Sequence, residues 1–504
     1  LKTPTVLIAG AGPTGLALAL WLTRLGIAVR IIDRTSEAGT TSRALAVQAR
    51  TLEFYQQLGF ADELVEGGVK VVGVNLWVRG AKAARVPLRD IGKGVTPFPF
   101  ALVYPQDAHE RLLIAHLEAL GVQVERETEL VRFAQRADRV EAVLRKKDGS
   151  EAGCEAAYLA GCDGASSTVR ESLGIGFPGG TYRGRFYVAD VEASGRAIDD
   201  ELHIDLDEAD LLLLFPMKGK GRVRLVGNVS RGLENDSREL TFDDVSERAI
   251  KHLGLTISKV NWFSTYRVHH RVADRFRDGR VFLLGDAAHI HSPAGGQGMN
   301  TGIGDAVNLA WKIAAVVQGA FSENLLETYE AERIAFARRL VATTDRGFTL
   351  ATKRGRVAAI VRARIVPVIA PLLFRLPVLR RFFFRTASQT GIEYRRSRLS
   401  AGKAGAIHGG DRLPWLELKS GEDNFAPLTA LKWQVHVYGK AKDDLAKACS
   451  ELRLALHVFD WRDEMKRAGF REDAAYLIRP DGYVALADAA ADTARLREYF
   501  VRLA

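Results

Sequence analysis

Apolar and β-branched residues run from Thr5 to Ala9 and stop at a glycine, and the leucine- and alanine-rich stretch Leu16 to Leu25 follows a short turn. The first pattern predicts a strand and the second a helix. A further apolar run, Val29 to Ile32, predicts a strand that ends at Asp33. From Val71 to Phe100 and from Phe177 to Phe276 the pattern turns to alternation. It is clearest in Arg185 to Glu192, Glu201 to Asp205, Leu211 to Phe215, Arg222 to Val229 and Val260 to Val268. Alternation of this kind predicts a mostly antiparallel sheet interrupting the first unit. An apolar strand returns at Val281 to Leu284, with a helix at Thr301 to Val317. After about Gly402 a separate unit is expected. It has strands at Trp433 to Tyr438, Leu454 to Phe459 and Ala475 to Ile478, and helices at Asp443 to Leu452 and Ala490 to Arg502.

The first turn reads GAGPTG: Gly10, Gly12, Pro13, Thr14 and Gly15. Strand, glycine turn and helix in this order form a dinucleotide fingerprint. Gly10 permits the tight turn, Gly12 lets a pyrophosphate approach the backbone, and Gly15 lets helix and strand pack closely. The helix N-terminus offers N–H groups to the anion. Asp33, beside Arg34 and 18 residues beyond Gly15, is placed to accept from a ribose hydroxyl. The fingerprint alone does not separate FAD from a nicotinamide nucleotide.

Two later segments narrow the choice. Tyr158 to Arg170 reads YLAGCDGASSTVR, and Arg280 to Asn300 reads RVFLLGDAAHIHSPAGGQGMN. With the first turn, these resemble the DG and GD motifs of the group A flavoprotein monooxygenases, the para-hydroxybenzoate hydroxylase type. Ser42 to Glu53 (SRALAVQARTLE) and the C-terminal extension resemble the aromatic polyketide and antibiotic hydroxylases, the rifampicin hydroxylases among them. The residue chemistry agrees. Asp286 follows an apolar strand, where a carboxylate can accept from a polyol such as ribityl. Pro293, Gly296, Gly298, Met299 and Asn300 lead into a helix whose amides would face the electron-rich edge of a flavin ring.

The resemblance further implies that Arg43 contacts the FAD pyrophosphate, that Gln106 lies near the flavin, and that Asp163 lies near the FAD and the route of the reductant. It implies an α/β fold: a Rossmann-type FAD-binding domain (1–70, 101–176 and 278–345) interrupted by a β-sheet substrate domain (71–100 and 177–277). A basic helical connector (346–401) and a thioredoxin-like C-terminal domain (402–504) complete it. Cys449 stands alone in that last domain, so a structural or oligomerising role is expected there rather than thiol chemistry. The implied activity uses FAD, NADH or NADPH as a transient reductant, and O2. Oxygen passes from a C4a-hydroperoxyflavin to a phenolic or polycyclic ring. Phe215, Met217, Trp262, Tyr266 and Pro293 are candidates for the substrate pocket, with ordinary sheet core as the other reading. No catalytic base emerges, because Leu45 stands near the place where phenol hydroxylases carry an Asp.

Three other readings are weighed. A flavin-dependent halogenase needs a lysine and a WxWxIP motif, and that motif is missing. A flavin-dependent reductase or dehydrogenase would not transfer oxygen. A silent FAD-binding or membrane-associated protein would show no substrate-stimulated turnover.

Composition sets bounds. The chain has 504 residues, 47% hydrophobic and 26% charged, ordinary for a globular protein of about two to four domains. The longest apolar run beyond the N-terminus, Ile365 to Phe374, is half the roughly 20 residues of a membrane span and holds two prolines. No span and no signal peptide are expected. Three cysteines (Cys154, Cys162, Cys449) without a CxxC fit a reducing, cytoplasmic setting. His289 and His291 are expected to pack rather than bind metal.

The formal charge of +10 resides in one place. Between Arg346 and Ile392 there are ten basic residues and no Asp or Glu. The remainder is balanced, which argues against a nucleic-acid partner; the resemblance implies a small aromatic molecule as the partner, and a monomer or homodimer is expected. Pro367, Pro371 and Pro377 are expected to break any long helix there. The favoured reading is a connector whose apolar side packs on the protein while Arg stems reach water. Contact with an anionic membrane surface is the other.

Overall fold

A computed structural model describes residues 4–39, 44–206, 212–229, 238, 240–245, 247–292, 295–352, 356–418 and 421–503. The fold is mixed α/β. Its first sheet has six strands: β1 (Val6–Ala9), β2 (Val29–Ile32), β3 (Val124–Glu125), β4 (Tyr158–Gly161), β5 (Arg277–Asp278) and β6 (Val281–Leu283). Their spatial order is β5-β6-β4-β1-β2-β3, parallel except for the β5–β6 pair. β1 lies between two neighbours and is buried throughout, as its unbroken apolar run requires.

Helix α1 (Pro13–Arg24) follows β1, with Pro13 in the first turn, where a missing N–H costs nothing. Leu16 to Leu22 are fully buried because α1 packs against both the sheet and the later helix α4 (Gly298–Val317). Gly26, at φ +80°, reverses the chain after α1. Between them in sequence lie α2 (Ala49–Leu58) and α3 (Gln106–Ala119); α5 (Glu327–Thr352) follows α4.

The second sheet has eight strands. It is built around two long antiparallel ones, Gly179–Gly195 and Leu255–Val272, continued by Arg222–Asn228, Leu212–Pro216 and Leu202–Asp205. Gly73–Val78 adds in parallel to Leu202–Asp205 and pairs with Ala81–Pro87 at the edge. At the other edge stands His289–Ile290, so the segment after β6 joins the two sheets. Alternation puts Tyr187, Ala189, Val191, Leu212, Leu214, Val223 and Leu225 into one core.

Residues 401–503 form a third sheet. Gln434–Tyr438 and Ala455–Phe459 pair in parallel across helix Asp443–Glu451, and Ala475–Ile478 and Val484–Asp488 return antiparallel before helix Thr493–Leu503. Helix Asp463–Ala468, between the second and third of these strands, carries no signal strong enough to be read from sequence.

The segment between α5 and this unit differs from the sequence expectation in three ways. Helix continues from Val357 through a widened π turn at Val361–Ile365 into α6 (Val366–Arg375), and this stretch is long and apolar enough by length and composition to cross a membrane. Arg362 and Arg364 divide this stretch in the sequence, so no uninterrupted apolar run of that length marks it. Second, Pro367 and Pro371 do not break the helix: Pro367 sits in the first turn of α6, just after the π turn, and Pro371 lies within it. Only Pro377 starts a new helix, α7 (Pro377–Ala387), after extended Leu376. Third, the large aliphatic residues of this stretch face outward rather than packing on the protein.

Candidate active site

The motif residues converge at the C-terminal ends of adjacent parallel strands. The glycine turn follows β1, Asp33 follows β2, Asp163 follows β4 and Asp286 follows β6. That edge is where open α/β sheets hold ligands.

The three glycines of the turn do different work. Gly10 is at φ +104°, and a Cβ there would collide with the Cys162 carbonyl. A Cβ on Gly15 would collide with the Gly10 carbonyl. At Gly12 the backbone is extended (φ −75°, ψ −179°), a conformation open to any residue, and nothing among the described residues lies within 4 Å of the position a Cβ would take. Packing therefore demands Gly10 and Gly15, while Gly12 leaves a space in front of a helix that no side chain among the described residues caps. This is the shape a pyrophosphate requires. Pro13 is buried at the start of α1, and Thr14 Oγ1 occupies the crossing of α1 with α4, where a Cβ on Gly302 would strike it.

Asp33 is already partnered. Its Oδ2 accepts from the Ala11 amide at 2.6 Å, and its Oδ1 accepts from the Thr35 amide at 2.8 Å and the Thr35 hydroxyl at 2.6 Å. A carboxylate has about four acceptor positions, so one remains on Oδ2 for a ribose. Arg34 is exposed beside it. Asp163 accepts from Ser167 Oγ at 2.5 Å and from the Val169 amide at 3.1 Å; burial raises its pKa against those bonds. Asp286 stands exposed in the turn Gly285–Ala287.

At the start of α3, Gln106 accepts from the Ala44 amide at 3.0 Å and donates to Glu110 at 2.8 Å, while Glu110 accepts from the Gly39 amide at 2.7 Å. Glu110 and Gln106 thus hold the chain on the two sides of residues 40–43, at Gly39 and Ala44. Arg43 and Pro293 lie outside the described residues.

Gly296 (φ +61°), Gly298 and Met299 lead into α4, which also has no side-chain cap. Asn300 makes four hydrogen bonds: its Oδ1 accepts from the Gln48 amide and Thr51 Oγ1, both at 2.8 Å, and its Nδ2 donates to the Ala46 and Gly296 carbonyls, both at 2.9 Å. Gln48 also donates to the Gly295 carbonyl at 2.9 Å. The side chain of Asn300 therefore fixes Ala46, Gln48 and Thr51 against the glycine loop, with its own amide oxygen and nitrogen both engaged.

A cleft of about 600 Å³ opens between the start of α3 and the second sheet, with Gly39, Tyr104, Asp107, Met217, Arg222 and Trp262 in its wall. Two of the pocket candidates, Met217 and Trp262, line it. Phe215 instead packs in a small cluster with Leu45, Val71 and Val103, and Tyr266 packs beside Phe186, with ring centroids 6.1 Å apart.

Several buried charges near the site are silent in the sequence. Arg224, fully buried, donates to both oxygens of Asp190 at 2.5 and 2.8 Å and to the Ala44 carbonyl at 3.2 Å, with its guanidinium 5.6 Å from the Trp262 ring. Asp305 of α4 accepts from His289 at 2.7 Å, from Arg333 at 2.6 Å and from the Gly285 amide at 3.0 Å. Burial pushes the Asp305 carboxyl up, but Arg333 and His289 outweigh it and hold the group below its usual range. His289 is thus a partner of Asp305, and His291 Nδ1 donates to the neighbouring Ser292 carbonyl at 2.9 Å. Among the described residues no three His, Cys, Asp or Glu side chains form a metal cluster. Arg333 also bonds Tyr394 at 2.7 Å, carrying the network toward the C-terminal unit.

Residues 3–344 match the FAD binding domain family, and residues 408–503 match the C-terminal domain of aromatic-ring hydroxylases. The 6-methylpretetramide 4-monooxygenase of Streptomyces rimosus is 37% identical over 515 aligned positions, which cover 96% of this chain and 90% of the relative. The rifampicin monooxygenase of Streptomyces venezuelae is 35% identical over 67% of this chain and 70% of its own. Among solved structures, the anhydrotetracycline hydroxylase OxyS from Streptomyces rimosus superposes with a TM-score of 0.78 at 29% identity, over 99% of this chain and 98% of the other. The chain belongs to the group A flavoprotein monooxygenases. It is an FAD-dependent aromatic monooxygenase.

Proposed function

We propose that this enzyme hydroxylates a phenolic or polycyclic aromatic compound seated against Met217 and Trp262, with NADH or NADPH as a transient reductant and O2 as oxidant. The convergence of four motif segments on one edge of a parallel sheet, beside a cleft walled by the second sheet, carries this reading. The relatives that act on tetracycline-type and rifamycin-type molecules support a polycyclic substrate. When bound, FAD supplies hydride acceptance from the nicotinamide and activation of O2 for transfer to the ring.

The chain's own residues do the rest. The space at Gly12 and the amides at the start of α1 receive the pyrophosphate, with Gly10, Pro13, Thr14 and Gly15 setting their position. Asp33 gives its one remaining acceptor to the adenosine ribose, with Arg34 at its exposed side, and Asp286 faces the ribityl chain. Amides from Gly296 to Asn300 stabilise negative charge on the reduced ring. Gln106 and Asp163 flank the cofactor, and Arg43 and Pro293 are assigned to it through the family resemblance. Residues 402–504 form a thioredoxin-like unit with a structural role. Burial pushes the Cys449 thiol up to about 11, which keeps it protonated and unreactive.

Stopped-flow reduction of the purified flavoprotein by NADH and NADPH, with and without tetracyclic phenols, tests this reading. Substrate-accelerated reduction and 18O incorporation from labelled O2 are expected. Reduction of the organic substrate without oxygen uptake would establish the reductase alternative instead.

A further inference from the structure

Twelve of the seventeen exposed large hydrophobic side chains among the described residues fall between Val357 and Phe383. In the helical stretch that ends in α6 they recur at positions 357, 360, 361, 365, 368, 369, 372 and 373, the spacing of a single helical face, and Leu376 follows just beyond its end. Val368 is 61% exposed and Leu372 51%. The small residues Ala359 and Pro367 are buried instead, and α6 rests on the edge strand Ala81–Pro87. Surface helices ordinarily place the apolar face inward, so this one is inverted. Arg364, Arg375 and Arg381 are also exposed, within a segment that carries ten bases and no acid.

We propose that this face docks on an anionic lipid bilayer, with the aliphatic stripe in the headgroup boundary and the arginines paired to lipid phosphates. Charge decides the occupant. A second copy of the chain would bring ten bases against ten with no acid to neutralise them, whereas an anionic bilayer complements the segment. Geometry decides that the helix lies on the membrane rather than crossing it. The elements on either side of it are tied to each other: Arg479 pairs with Glu332, and Arg412 with Glu53. A crossing helix would put α5 and the C-terminal unit on opposite sides of the bilayer and break both pairs.

Sedimentation of the FAD-loaded full chain with phosphatidylcholine vesicles containing about one third phosphatidylglycerol tests the proposal. At low ionic strength the bound fraction is expected to exceed that on pure phosphatidylcholine by roughly tenfold, and to fall as salt is raised. The double variants Val368→Ser/Leu372→Ser and Arg364→Glu/Arg375→Glu are each expected to lose binding while retaining FAD and circular dichroism. Absence of binding to the anionic vesicles, or equal binding to both kinds, overturns the proposal. So does a concentration-dependent dimer in light scattering that Val368→Ser/Leu372→Ser abolishes, because a second copy would then cover the face.

Discussion

Arg479 of the C-terminal unit donates to both carboxylate oxygens of Glu332 on α5, at 2.8 and 3.1 Å, with both side chains 1% exposed. Glu332 also accepts from Lys312 at 2.9 Å and Asn308 at 2.7 Å on α4, the helix whose first turn borders the flavin site. Burial would raise the Glu332 carboxyl, but Arg479 and Lys312 hold it well below its usual range. Removing one member leaves a buried charge unpaired. Arg479→Met is expected to cost about 3–5 kcal/mol, seen as a fall in the thermal midpoint, and the added change Glu332→Gln is expected to restore part of it.

The glycines of the first turn predict two different failures. Gly12→Val fills a space that is empty among the described residues, so the chain is expected to fold with native circular dichroism and to bind FAD about a hundredfold more weakly, roughly 3 kcal/mol. Gly10→Val and Gly15→Val meet backbone carbonyls and are expected to yield insoluble protein. Flavin fluorescence titration and solubility assays separate the two outcomes.

Trp262 lines the cleft and Tyr266, on the same strand, does not. Trp262→Ala is expected to raise KM for the aromatic substrate by about tenfold or more with FAD content unchanged. Tyr266→Ala is expected to leave KM within about twofold. Steady-state kinetics on the two variants gives the comparison.

Acid stability follows from buried histidines. Burial lowers His109 to about 3 and His291 to about 4. Between these values and the unfolded pKa near 6.5 the unfolded chain binds protons that the folded chain refuses. Their contribution is complete above about pH 6.5 and is lost as pH falls toward about 3. The urea midpoint is expected to drop steeply from pH 6.5 to 4.5. His109→Gln, which retains a partner for the Tyr55 hydroxyl now 2.8 Å from the ring, is expected to flatten that slope.

Local patterns were readable because each is dictated by its own residues. The turn at Gly10 to Gly15 has few alternatives to strand, turn and helix. Alternation at Arg222 to Val229 yields the strand Arg222–Asn228 because one face of a half-buried sheet must be apolar. Buried charges were not readable, since Arg224, Asp305 and Glu332 look like surface residues until their partners arrive from distant parts of the chain. The stripe from Val357 to Leu376 shows the converse. Its period is visible in the sequence, but the direction in which it points depends on what the helix rests against, and the short alanine-rich strand Ala81–Pro87 accepts only the small side.

The crossing at Thr14 has a bearing on biosynthesis. A Cβ on either Gly285 or Gly302 would strike the Thr14 side chain, and Gln48 and Asn300 are joined across 252 residues of chain. The first glycine turn is synthesised well before Gly285, Gly302 and Asn300, which are among the last parts of the nucleotide-binding region to be made. Flavin capture must therefore wait until α4 has been synthesised, and a nascent chain that stops in the second sheet holds the fingerprint without a finished site for the cofactor.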